Sequence, residues 1–269
     1  MFSIYNADCL TKLKDISSNS VDLVICDLPF GCLTTPRATI GAGWRKVKEE
    51  GGIPELIREN KDGCSWDIKI NLEEFWSEIK RIRRDDHTPT IHFTTTKYGF
   101  DLYNSNPKEF RYDLVWDKGR GVSFLSANKM PMRSHEMIYV FSKAGANYNR
   151  IDIEGDFKAV GGGRDKIDSI NNQYGFIKKK NETDNEGKRC VLSVIQNKTS
   201  STKGGHPTEK PLELYKFLIQ RYSKEGDTVL DPTFGSGNSG LAARELKRKY
   251  IGIEKNKEFF DKFNVKINK

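Results

Sequence analysis

No stretch of this chain comes near the roughly 18 consecutive apolar residues that a membrane-spanning helix needs, so no bilayer crossing is expected. Its first eight residues lack the basic start and apolar middle of a secretory signal. Cysteine is scarce: there are five in 269 residues, at positions 9, 26, 32, 64 and 190. The number is odd and no pair is spaced as Cys-x-x-Cys, which argues against a zinc ribbon or a disulfide framework. A reducing, cytoplasmic interior is the expected setting. Acidic residues are the scarcer charge, 37 against 45 Lys and Arg, leaving a net charge of +8. Such an excess favours a polyanionic partner, because each neutralised phosphate releases counterions. A lysine-rich surface with no such partner explains the charge equally well.

What is present is a rhythm of strands and helices. Seven short runs, β-branched or aromatic and bounded by polar residues, predict buried strands over 2–6, 21–27, 88–94, 112–116, 137–141, 228–231 and 250–254. Leu72, Phe75, Ile79 and Ile82 recur at helical spacing, with Glu73, Glu74, Glu78, Arg81 and Arg83 on the other face. Arg81, Arg83 and Arg84 are read as exposed. Pro211 opens a second helix carrying Leu212, Tyr215, Leu218 and Tyr222, and a third starts near Asn238. Strands alternating with helices predict an α/β fold around a mostly parallel, seven-stranded sheet. Two stretches break the rhythm. Residues 32–70 are glycine-rich and aperiodic. Residues 143–205 hold twelve Lys/Arg against eight Asp/Glu, half of the chain's positive excess. Loops of that length inside a domain are commonly functional or disordered.

Two short motifs lie about two hundred positions apart, each after an apolar run. The second is Asp231-Pro232-Thr233-Phe234-Gly235-Ser236-Gly237. It reads as a strand tip and a two-glycine turn into a helix, the place where open α/β sheets hold ligands. Glu254 ends the next strand, nineteen positions after Gly235, close to the ~20-residue offset of an acid that reaches ribose hydroxyls. No Gly-Lys-Ser/Thr loop occurs, so a phosphate cradle is not expected. Asp231 suits a cationic group, such as the α-amino group of a methionine moiety.

The first motif is Asp27-Leu28-Pro29-Phe30. Methyl transfer to an exocyclic base amine needs acceptors for both amino protons, because the nitrogen lone pair is delocalised into the ring. The Asp27 carboxylate and the Leu28 carbonyl offer two. Pro29 stiffens the turn, and Phe30 offers a stacking face worth ~1–3 kcal/mol to an extruded base. Taken alone, the tetrapeptide reads more readily as a strand end running into a turn, with Phe30 in the core.

Asp27–Phe30 resembles the Asp-Pro-Pro-Tyr motif of S-adenosylmethionine-dependent DNA amino-methyltransferases, and Asp231–Gly237 resembles their cofactor loop. His206-Pro207-Thr208-Glu209-Lys210-Pro211 is similar to the element that precedes that loop. Asn6-Ala7-Asp8-Cys9-Leu10, Asn19-Ser20-Val21-Asp22-Leu23 and Arg133-Ser134-His135-Glu136 also fit the family pattern. The order, catalytic motif first and cofactor loop last, resembles the permuted β group. The resemblance implies a Rossmann-like methyltransferase fold built from residues 1–142 and 206–269, with a target recognition region at 143–205. It further implies S-adenosylmethionine as cofactor, no metal, base flipping and DNA methylation within restriction-modification. Asp8, Thr208, Lys210, Asp231, Phe234, Gly235, Gly237 and Glu254 would bind the cofactor. Asp27, Leu28, Pro29 and Phe30 would be catalytic, and Lys178, Lys179 and Lys180 are candidates for DNA phosphates. The expected partner is double-stranded DNA, with monomer and homodimer both open.

Leu28 departs from the family's first proline and Phe30 from its tyrosine, and 32–70 is a long insertion. Asp rather than Ser at the head of the motif favours adenine N6 as the target. Cytosine N4 on the same scaffold, or a catalytically weakened DNA-binding relative, are the alternatives. His135 and Trp116 are read as structural.

Overall fold

The computed structural model describes residues 1–31, 67–122, 124, 127–154, 169–171, 175–177, 187–197 and 209–268. In chain order the elements are β1 (Phe2–Asn6), α1 (Cys9–Leu13), β2 (Leu23–Cys26), α2 (Leu72–Ile82), β3 (Thr90–Thr94), α3 (Thr96–Ser105), β4 (Phe110–Val122) and β5 (Arg133–Phe141). Then come β6 (Ile153–Glu154), β7 (Ser169–Asn171), β8 (Gly175–Ile177), β9 (Lys188–Arg189), β10 (Val194–Gln196), α4 (Leu212–Tyr222), β11 (Thr228–Asp231), α5 (Asn238–Glu245), β12 (Lys249–Glu254) and α6 (Lys257–Ile267). Backbone contacts divide the chain into a body, Met1–Asn149 with Ser193–Lys269, and a smaller unit, Arg150–Leu192. In the smaller unit β6 pairs with β9 and β7 with β8, both antiparallel.

Strand alternation decides the layering of the body. Leu23 and Ile25 of β2 face one side of the sheet, Val24 and Cys26 the other, and all four are fully buried. A strand buried on both faces needs a layer of helices on each. Val24 and Cys26 pack with Leu13 of α1, Phe75 and Ile79 of α2 and Leu102 of α3. Leu23 and Ile25 pack with Leu218 of α4, Ala242 of α5 and Phe263 of α6. The sheet runs β1-β12-β11-β2-β3-β5-β4-β10, with β5 antiparallel to both neighbours and every other pairing parallel. The architecture is α/β and Rossmann-like. The seven expected strands are all present, and β10 adds an eighth by pairing its three residues alongside Val115–Asp117. It is invisible in the sequence because only Ile195 of the three is buried.

Helix α2 forms where its periodicity predicts. Asn71 caps it by accepting from the Glu73 and Glu74 amides, acids open it, and Lys80 and Arg81 close it. The exposed reading of the arginines needs correction. Arg83 is the C-cap, with extended ψ of 139°, so helical spacing no longer places it on the solvent face. Its side chain is buried and grips Glu109 with two hydrogen bonds of 2.9 and 3.2 Å. Arg81 is half-buried, donating to the carbonyls of Leu13 and Ile16, and only Arg84 is exposed, beside Asp22.

Candidate active site

Strands β2 and β11 are neighbours and parallel, so the two motifs emerge side by side at the same edge of the sheet. After Cys26 the chain leaves β2 without regular structure, and the Leu28 side chain stays in the core. Gly31, at φ +66°, turns the chain away, and its amide donates to Asp67 Oδ1 at 2.9 Å. Phe30 is half-buried and leans on Tyr98, with ring centroids 5.1 Å apart. The Thr233 hydroxyl donates to the Asp27 carbonyl at 3.2 Å, joining the two motifs directly.

A line of alternating charges runs into Asp27. Lys118 Nζ lies 2.5 Å from Glu136 Oε1, Lys210 Nζ lies 3.5 Å from Glu136 Oε2, and Lys210 Nζ lies 2.5 Å from Asp27 Oδ2. Burial works against the Lys210 ammonium, but Asp27 and Glu136 outweigh it and hold its pKa above the ordinary lysine value. Burial likewise opposes ionisation of Glu136, and Lys210 and Lys118 overcome it, keeping the carboxyl below its usual range. For Asp27 burial prevails: the carboxyl is pushed up, with Glu136 adding to the rise and Lys210 opposing it. Asp27 Oδ1 is buried and makes no hydrogen bond with a described residue. No donor among the described residues reaches the Leu28 carbonyl.

On the other side, Asp231 is fully buried at the tip of β11. Its Oδ1 accepts from the Thr233 amide at 3.0 Å, while Oδ2 is orphaned among the described residues. Burial pushes this carboxyl up to about 7. The Glu254 carboxylate spans the turn, accepting from Gly235 N at 2.9 Å and Asn256 N at 2.7 Å. Asp8 caps α1 through Oδ1 and pairs with Lys255 through Oδ2. Gly237 caps α5 at φ +77°, and a Cβ there would stand 2.0 Å from Phe263. The two-glycine reading of this turn overlooked Gly240. With Gly235 and Gly237 it completes a Gly-x-Gly-x-x-Gly spacing, and it lets α5 settle against Phe263 and Tyr250.

These groups surround one cavity of about 630 Å³. Its wall brings together Asp8, Asp27, Leu28, Pro29, Phe30, Lys210, Phe234, Gly235 and Glu254. Asp231 and Gly237 are not among its lining residues. Thr208 and Lys178, Lys179 and Lys180 fall outside the described residues. Sequence reasoning gave no role to Glu136, Lys118, Asp67 or Thr233. Glu136 ends the Arg133–Glu136 segment, but nothing in the sequence shows that β5 delivers it to the Asp27 side. The cavity is in the size range that holds small ligands. The orphaned Asp231 oxygen fits a ligand that brings a cation, and Glu254 at a strand end fits one with hydroxyls. Both fit S-adenosylmethionine. Among the described residues no cluster of three or more His, Cys, Asp or Glu could hold a metal ion, and no helix is long and apolar enough to cross a membrane.

The family described as DNA methylase matches residues 21–265. The type II methyltransferase M.Cfr9I of Citrobacter freundii is 32% identical over 96% of this chain and 85% of its own length. M.HinfI of Haemophilus influenzae is 26% identical over 96% of this chain, which spans 66% of that protein. Among solved structures, the M1.HpyAVI complex with S-adenosylmethionine superposes with a TM-score of 0.59 at 19% identity, covering both chains fully. The cytosine-N4-specific PvuII DNA methyltransferase gives 0.60 at 16% identity, over 99% of this chain and 92% of that one. At these identities the two structures speak for the fold.

Proposed function

The chain belongs to the DNA methylase family and is an S-adenosylmethionine-dependent DNA amino-methyltransferase, and from that premise we propose that it methylates adenine N6 of a base flipped from double-stranded DNA. The observation that carries the reading is Asp27, with one oxygen held by Lys210 and the other buried and open. Oδ1 accepts one amino proton and the Leu28 carbonyl the other, which localises the nitrogen lone pair. Phe30 stacks on the base. The cofactor supplies a methyl group on a sulfonium. Bound there, it would leave as the neutral thioether, and Asp27 would receive the surplus amino proton. Asp231 neutralises the methionine ammonium, Glu254 receives the ribose hydroxyls, and Asp8 meets the adenine ring. Phe234 and Gly235 line the methionine end, Lys210 completes the pocket, and Gly237 shapes the turn.

Adenine is favoured because Asp heads the motif. The order of motifs supports the permuted β arrangement, with target recognition in 143–205, and type II relatives support a restriction-modification setting. The test is mass spectrometry of nucleosides from methyl-free DNA incubated with the protein and S-adenosylmethionine, with Asp27→Ala as control. N6-methyladenine in the wild-type sample alone is expected. N4-methylcytosine would retain the mechanism and change the base, and no methylated product would sink the enzymatic reading.

A further inference from the structure

Strands β4 and β5 continue past the sheet as a hairpin. Asp117 pairs with His135 and Val122 with Arg133, with a break in register between them. Such irregularities bend and twist a ladder. Gly119 sits at φ +67°, and a Cβ on Gly121 would stand 2.7 Å from the Met132 side chain, so the two strands cross closely here. The base of the hairpin is tied to the rim of the cavity. Glu136 lines the cavity, and Arg133 donates to the Thr96 hydroxyl at 2.7 Å, next to cavity-lining Thr95.

Between Asp117 and Glu136 there is no acidic residue, against Lys118, Arg120, Lys129 and Arg133. Lys118 is held by Glu136, whereas Arg120 and Lys129 are exposed and form no ion pair with a described residue. The tip also presents Phe124, Met130 and Met132 to solvent, 76%, 55% and 39% exposed. Exposed apolar side chains gathered between cations mark an interaction site more often than a solvated turn. Cations suit phosphates, and Phe and Met are side chains that proteins wedge against unstacked base steps.

We propose that the β4–β5 hairpin is a DNA-contacting element: Arg120 and Lys129 meet backbone phosphates, while Phe124, Met130 and Met132 pack against the bases beside the one drawn into the cavity. This rests on the methyltransfer reading above. Its base at the cavity rim sets the hairpin beside the opening through which the target base would reach Asp27. The occupant is double-stranded DNA, chosen by charge and by the cavity the hairpin borders.

The test uses a duplex bearing the site that the wild-type protein methylates, with the natural target base for the methylation rates and, in a second copy, 2-aminopurine in its place for fluorescence. Phe124→Ala/Met130→Ala is expected to lose the 2-aminopurine fluorescence rise and to slow single-turnover methylation at least about tenfold, since unstacking costs a few kcal/mol per step. A mismatch opposite the target should restore the rate, because the base is already loosened. Arg120→Gln/Lys129→Gln should lower the slope of log affinity against log salt by about two. S-adenosylhomocysteine binding, unchanged in every variant, shows that the fold is intact. Wild-type fluorescence and rate in the apolar variant, or an unchanged salt slope in the charge variant, would overturn the assignment. A wild-type protein that methylates no DNA would instead overturn the reading on which it rests.

Discussion

Lys210 Nζ sits 2.5 Å from Asp27 Oδ2, a buried ion pair formed across 183 positions of sequence. The pair joins the segment before α4 to the end of β2, and Asp27 Oδ1 has no partner among the described residues. Without the ammonium, burial and Glu136 act on Asp27 unopposed. In Lys210→Met the acid limb of the pH–rate profile should therefore move to higher pH, the effect of removing an opposite charge at this range. The rate falls as pH drops through the Asp27 pKa, since the protonated group loses acceptor capacity. Single-turnover methylation measured across pH checks this, and an unmoved limb would remove Lys210 from the role. Asp27→Ala, by contrast, should keep S-adenosylhomocysteine binding and lose transfer at every pH.

Asp231 yields a prediction with opposite effects on stability and binding. Its pKa in the fold, about 7, lies above the ordinary aspartate value. The folded state therefore prefers the protonated form. Its relative stability is greatest below the unfolded aspartate value and declines as pH rises toward 7, where the orphaned charge must form. Asp231→Asn keeps an acceptor for the Thr233 amide and removes that charge. The ligand-free variant should melt several degrees higher at about pH 8 than the wild type, while S-adenosylhomocysteine binding weakens markedly. Wild-type affinity should also fall as pH drops below 7, and the variant should show a flatter dependence. Calorimetry and thermal scans without and with ligand decide the matter; a variant that binds as tightly as wild type would dissociate Asp231 from the cofactor ammonium.

Gly237 is constrained twice. Its φ of +77° disfavours any side chain, and Phe263 occupies the space a Cβ would take. Gly237→Ala should destabilise the protein by about 2–4 kcal/mol through strain and overpacking together. Adding Phe263→Leu should recover the packing share and leave the backbone share. Urea unfolding of the single and double variants measures the split, and full recovery would place the whole cost in packing.

Much of this architecture is legible in the chain because burial writes simple periods. The run Leu23–Cys26, apolar on both faces, could only be an inner strand, and the motif following it had to emerge at the sheet's edge. What periodicity does not carry is partnership between distant polar groups. Glu136 looks like any acid before an apolar strand, yet β5 turns it toward Lys210. Thr233 looks like loop filler, and it bonds the Asp27 carbonyl only because β2 and β11 are adjacent. Arg83 was misread for a related reason: the helix ends one residue earlier, so its helical phase no longer applies.

The corrected position of Arg83 can be tested directly. Arg83 and Glu109 are both buried, and Asn106 also donates to Glu109, at 3.1 Å. Removing Arg83 leaves the buried Glu109 charge with only Asn106 and Lys80, whose Nζ lies 3.9 Å away, so Arg83→Met should cost up to about 3–5 kcal/mol of stability. The pair is not fully satisfied, since Arg83 Nε has no acceptor. Replacing both members with apolar residues, Arg83→Met with Glu109→Leu, should therefore recover most of the loss. Burial opposes ionisation of Glu109, and Arg83 with Asn106 overcomes it, holding the carboxyl below its ordinary value. Its contribution is then complete above the unfolded glutamate pKa and fades as pH falls through the lower folded value. The gap between wild type and Arg83→Met should accordingly narrow in acid, below about pH 4. Denaturant melts of the three proteins at neutral and acidic pH measure both effects. A single variant within about 0.5 kcal/mol of wild type, the range of ordinary surface changes, would return Arg83 to the exposed face.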